Sequence, residues 1–188
     1  MRNGLVVMLM AIAFWGCSES FTDERDGKSY KFVQIGDATW MAENLNFETE
    51  GSFCPEGDTR KCGKFGRLYS WDAAQKVCPA GWRLPSVADF ESLLAAAGGA
   101  ENAGAVLKSS DGWFKKKNGS DALGFAAFPA GYRTADGKFD GIGGYAYFWS
   151  ASENADGFAN YLFLEFGSAA AAINALDKGS ARSVRCVK

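Results

Sequence analysis

Four cysteines set the strongest limit on how this 188-residue chain can fold. Cys54, Cys62, Cys78 and Cys186 stand inside the sequence, and a fifth, Cys17, stands apart near its start. An even set of cysteines in an exported chain forms disulfides. Four cysteines allow three pairings. Cys54 and Cys62 bracket a short polar run, Pro55 to Lys61, which one bridge would close locally. That leaves Cys78 for Cys186, a bridge that would tie an early helix to the last strand. A loop so long would contribute about 4–5 kcal/mol on the chain-entropy model. The rival use, a zinc site, needs close pairs such as C-x2-C, and the sequence holds none.

Export is read from residues 1–17. Arg2 supplies a positive start, and Gly4 to Trp15 is an apolar stretch. It falls short of the about 20 residues that an ordinary membrane span requires. Residues 1–16 therefore read as a signal peptide. The stretch ends Phe14-Trp15-Gly16-Cys17, followed by polar Ser18-Glu19-Ser20. A small residue before such a cysteine resembles a bacterial lipobox, although Phe14 stands where leucine is usual. The resemblance implies cleavage before Cys17, a diacylglycerol on its thiol and a short tether over 17–20. Two or three acyl chains suffice for stable membrane anchoring.

Composition excludes several classes of function. The chain has no histidine, so Ser–His–Asp and Cys–His catalysis and histidine zinc sites are ruled out. The formal net charge is −2, with no basic run long enough for nucleic acid. No cofactor motif is present.

The periodicity predicts strands, then helices, then strands, which is an α+β class. Asp26-Gly27 and Gly36-Asp37 mark turns among early strands, and 48–64 reads as a loop. Leu68 to Val77 reads as a helix stopped by Cys78-Pro79. Ser86 and Asp89 open a second with a capping-box pattern, and Phe90, Leu93, Leu94 and Ala97 share its apolar face. A short helical piece is expected near 103–108. Later, Tyr145, Tyr147 and Trp149 alternate with Ala146, Phe148 and Ser150, while Leu162, Leu164 and Phe166 alternate with Tyr161, Phe163 and Glu165.

Seven ordered blocks carry a family resemblance: Phe21 to Tyr30, Trp40 to Asn46, Gly66 to Trp71, Cys78 to Pro85, Phe128 to Arg133, Tyr147 to Glu153 and Ser183 to Cys186. Together they resemble the Fibrobacter succinogenes major paralogous domain over residues 21–188. That family is common in exported lipoproteins and carries no established activity. It is distantly similar to C-type lectin-like and formylglycine-generating-enzyme-like domains. The resemblance implies two helices packed on small antiparallel sheets, stapled by disulfides. It also matches Cys78–Cys186 to a helix-to-last-strand bridge. The Glu-Pro-Asn, Gln-Pro-Asp and Trp-Asn-Asp triplets of calcium-dependent lectins are missing, so no metal is expected.

The candidate ligand contacts are aromatic. Tyr145 and Tyr147 would form a stacking platform for sugar rings if exposed, whereas Trp149 reads as core. Trp113, set among polar residues, is expected to be an exposed contact, and Arg133 is counted with these. Glu153, Asp156 and Glu165 read as structural carboxylates in preference to an acid–base pair, so no catalytic residue is assigned. Asp136-Gly137 and Asp140-Gly141 read as turns. The expectation is a non-enzymatic lipoprotein of the outer membrane or cell surface, or else a periplasmic or secreted protein. It would present loops 109–120 and 134–147 to a glycan or another extracellular macromolecule. The alternative is a structural envelope protein that packs with partners and has no small ligand.

Overall fold

The computed structural model describes residues 19–188. The expected signal peptide, the lipidation at Cys17 and the first half of the 17–20 tether lie outside the described residues.

β1 (Glu19–Thr22), β2 (Ser29–Ile35) and β3 (Ala38–Met41) form an antiparallel sheet across the two expected turns. Residues 48–64, expected to be loop, hold more structure. They contain β4 (Ser52–Phe53), a 3-10 turn at Pro55–Gly57 and the start of α1 (Thr59–Phe65). Asp58 starts α1, its carboxylate accepting from the Arg60 amide. Only Cys62 is buried along that helix, so no apolar period announces it.

The helix expected over Leu68–Val77 is divided into β5 (Leu68–Ser70) and α2 (Trp71–Val77). Ser70 ends the strand and caps the helix, its hydroxyl accepting from the Ala73 amide. Leu68 to Ser70 become strand because β11 (Ala181–Ser183) pairs with them. α3 (Val87–Ala96) opens with a complete capping box of Ser86 and Asp89. The piece expected near 103–108 is α4 (Ala100–Leu107). β6 (Ala130–Arg133), β7 (Phe139–Ile142), β8 (Tyr145–Glu153), β9 (Ala159–Glu165) and β10 (Ala171–Leu176) follow.

The class is α+β, with more parts than two helices on small antiparallel sheets. Four α-helices are present among the described residues. Eight strands join in one sheet, ordered β10-β9-β8-β11-β5-β4, with β6 and β7 branching from β11. The sheet is antiparallel except where β11 runs beside β8 at Ser183 and Phe148. No helix among the described residues is long and apolar enough to cross a membrane.

One face of β8 to β10 supplies Ala146, Phe148, Leu162, Leu164 and Ala171 to the main core. Phe90, Leu93 and Leu94 of α3, Ala103 and Leu107 of α4, and Trp40 of β3 pack onto it. A second cluster joins Tyr69, Trp71, Trp149, Val184 and Cys186. Cys54 is bonded to Cys62, and Cys78 at the end of α2 to Cys186, 108 positions later.

Residues 184–188 are stitched to earlier strands. Leu45 and Met41 amides donate to the carbonyls of Val184 and Cys186 (both 3.0 Å). Thr39 with Lys188, and Arg83 with Val187, exchange paired backbone bonds. Between them Arg185 is fully buried. Its Nε and Nη2 donate to Asn44 Oδ1 (3.1 and 2.7 Å), Nη1 to the carbonyls of Met41 (3.1 Å) and Phe125, and Nη2 to that of Ala126 (2.9 Å). Burial pushes its pKa down to about 9, so it stays charged at neutral pH.

Candidate functional site

Strand alternation divides the β8–β9 pair into two faces. Ala146, Phe148, Leu162 and Leu164 enter the core. The opposite face therefore carries Tyr145, Tyr147, Tyr161 and Phe163, all half-buried. Register sets Tyr147 across from Phe163, Trp149 across from Tyr161, and Tyr145 across from Glu165. Tyr132 reaches this face from β6.

Tyr147 is the hub. Its ring centroid lies 5.0 Å from Phe163, 5.3 Å from Tyr132, 5.7 Å from Tyr161 and 6.1 Å from Tyr145. Gly141, at φ 77, makes room at one edge. A side-chain carbon there would meet Tyr145 at 2.7 Å and Tyr132 at 3.5 Å.

The hydroxyls follow the same division. The chain has six tyrosines. The Tyr30 hydroxyl accepts from the Asn46 amide, and that of Tyr69 donates to the Phe47 carbonyl. The phenols of Tyr132, Tyr145, Tyr147 and Tyr161 make no hydrogen bond to the described residues and are not sealed from water. Burial pushes the Tyr147 phenol up to about 12 against the pull of the Arg182 charge, so at neutral pH it both donates and accepts.

Arg182, on β11, is wedged among these rings and only 3% exposed. Its guanidinium carbon lies 4.3 Å from the Tyr161 centroid, 4.4 Å from Tyr147, 5.0 Å from Trp149 and 5.7 Å from Tyr132. Nε and Nη1 are buried without a hydrogen-bond partner. Nη2 has no partner among the described residues either, and it is not one of the sealed nitrogens. Burial among the rings lowers its pKa, while the tyrosines and Asp177 pull the other way.

Of the expected contacts, Tyr145 and Tyr147 come together here, and Trp149 is core as read. Trp113 must be corrected: it is 4% exposed. Its indole N–H donates to Ser109 Oγ (3.1 Å) and the Ala127 carbonyl (3.2 Å), and its amide to Asn118 Oδ1 (3.1 Å). The polar neighbours that suggested exposure are its partners, and the exposed ring in that loop is Phe114 at 53%. Arg133 stands away from the platform, over Phe53 (4.1 Å) and Phe139 (5.9 Å). Glu165 closes the Tyr145 end of the ring face, whereas Glu153 is ion-paired to Lys178. Tyr132, Tyr161, Phe163 and Arg182 were not singled out from sequence. The alternation of Tyr161 and Phe163 with Leu162 and Leu164 was the signal available for two of them.

Elsewhere, a groove of about 720 Å³ lies between β2, β3 and the 121–128 loop, lined by Lys31, Val33, Glu43, Asp121, Ala126 and Phe128. Asp121 is partly buried there, and desolvation raises its pKa. Among the described residues no cluster of three Cys, Asp or Glu side chains could hold a metal ion.

The family model of the Fibrobacter succinogenes major domain matches residues 33–188. No curated protein and no solved structure matches the chain.

Proposed function

From the premise that this chain belongs to the Fibrobacter succinogenes major domain family, we propose that it is a non-enzymatic binding module whose aromatic sheet face receives a glycan. One observation carries the reading: five half-buried rings share a face on which four phenol hydroxyls have no partner among the described residues. Flat rings meet the C–H faces of pyranoses, and free phenols exchange hydrogen bonds with sugar hydroxyls. The rings stand on strands whose far side is packed core, so they are held in place before a ligand arrives. Glu165 adds an acceptor at one end.

The reading replaces two contact loops with one sheet face. Trp113 and loop 109–120 drop out, and Tyr145 and Tyr147 stay. The fold fits a C-type lectin-like arrangement, supported by the bridge from α2 to the segment after β11. Two disulfides suit an oxidising compartment. With the Gly16-Cys17 leader pattern, they support a lipoprotein of the outer membrane or cell surface.

A glycan array probed with the purified domain, backed by affinity electrophoresis, tests the proposal. Binding should fall about tenfold or more in Tyr147→Ala, equivalent to at least about 1.4 kcal/mol. Absence of binding to any plant or bacterial polysaccharide would remove the glycan. The ring face would then pass to the envelope-packing alternative.

A further inference from the structure

The chemistry of the glycan can be carried one step further, resting on the reading just given. We propose that the face selects acidic glycans, with a uronate carboxylate docking at Arg182 Nη2.

Arg25, Arg60, Arg67 and Arg83 are each ion-paired with a carboxylate, and Arg133, half-buried, lies over Phe53 and Phe139 with no ion pair among the described residues. Arg185 is surrounded by five acceptor contacts. Arg182 is nearly as buried and has no acceptor among the described residues. The rings around it stabilise positive charge through their faces, but they do not supply the in-line oxygen that an N–H donor seeks. The cage therefore holds a charge with unfilled donors, and Nη2 is the one nitrogen outside the sealed, unpartnered pair. A carboxylate satisfies both needs at once, since charge-assisted bonds from a guanidinium are about twice as strong as neutral ones.

The remaining charges give the face a direction. Glu165 lies across from Tyr145, while Arg182 lies against Tyr147, Trp149 and Tyr161. Asp140 flanks Tyr132 from β7, and Asp177 is the one carboxylate whose charge acts on Arg182, without a hydrogen bond or ion pair to it among the described residues. An acidic sugar is drawn to the Arg182 end and turned away from Glu165, whose oxygens are left for hydroxyls.

Polyuronates separate this inference from the broader one. Homogalacturonan, glucuronoxylan and alginate would each be compared with their carboxyl-reduced neutral counterparts, by affinity electrophoresis and calorimetry on the full described domain. Wild type should bind at least one polyuronate tenfold or more tighter than its reduced form, with affinity falling as salt rises. Arg182→Met should erase that preference, bringing each polyuronate and its reduced form to equal affinity, and Tyr147→Ala should weaken binding to both members of every pair. Equal binding within every pair would overturn the acidic selection and leave the glycan reading standing. No binding to either member of any pair would overturn both. A preference that survives in folded Arg182→Met would overturn the role of Arg182. Should that variant fail to fold, Arg182→Lys keeps the charge without the fork. It should lose most of the preference, and full retention would sink the assignment.

Discussion

Arg185 is surrounded by oxygen and Arg182 by rings. Both are buried, three positions apart on the same closing segment. Every donor direction of Arg185 meets Asn44 or a backbone carbonyl from β3 or the 121–128 loop. That guanidinium joins three separate stretches of chain, and the surroundings are complete without any ligand. Arg182 spends its surroundings differently. Aromatic faces hold its charge, yet its nitrogens have no acceptor among the described residues. The difference separates a buried charge that organises the fold from one that leaves valence open at the surface, and burial alone does not tell them apart.

The largest test removes the neighbour of Arg185. Cys78→Ala/Cys186→Ala should cost about 4–5 kcal/mol, because the bridge closes a long loop. Urea unfolding would check it, and a cost below about 1 kcal/mol would mean that the hydrogen bonds of residues 184–188 suffice alone. Next, Arg185→Met should cost about 3 kcal/mol by leaving Asn44 and several carbonyls buried without donors. Asn44→Ala should cost about 2 kcal/mol, since it strips two bonds from Arg185 and one to the Phe65 carbonyl.

The helix side provides a control that touches neither arginine. Hydrogen bonding from Arg83, then from Ser86, holds the Asp89 carboxylate down at about 2 against the cost of its burial. A depressed carboxylate stabilises the fold above its unfolded value of 3.8, and that contribution is lost as pH falls through about 2. With solvent screening, Asp89→Asn should cost about 1 kcal/mol at pH 7, and less below pH 3. Unfolding curves at the two pH values would show the convergence. The smallest effect belongs to Arg182→Met, within about 1 kcal/mol of zero, because lost ring contacts are offset by removing unpaired donors. A loss matching that of Arg185→Met would erase the distinction between the two residues.

Much of the frame is legible in the sequence. Ser86 with Asp89 announced α3, the Asp-Gly turn announced the first hairpin, and the short loop between Cys54 and Cys62 pointed to both bridges. Half the ring face was legible from Tyr145 and Tyr147, because a period of two tells which residues stand together. The period does not tell which side faces water. Trp113 shows the limit: polar neighbours read the same whether they surround an exposed ring or satisfy a buried one. Arg182 sits in Ala181-Arg182-Ser183, an ordinary exposed-strand pattern. Its burial is imposed by Tyr132, Tyr147 and Tyr161, which reach it from three other strands. Three residues such as Leu68 to Ser70 fit helix or strand, and the pairing with β11 on one side and β4 on the other decides.

The stitching of residues 184–188 has a temporal consequence. Arg185 bonds to Met41 across 144 positions, and β5 cannot gain its neighbour β11 until Ala181–Ser183 have been synthesised. A nascent chain on the ribosome therefore holds β3 unpaired along one edge, and the core behind Trp149 open, until residues 181–188 emerge. Such long-range closure slows folding and keeps the incomplete chain loose, the state in which a polypeptide can still be threaded through a narrow channel.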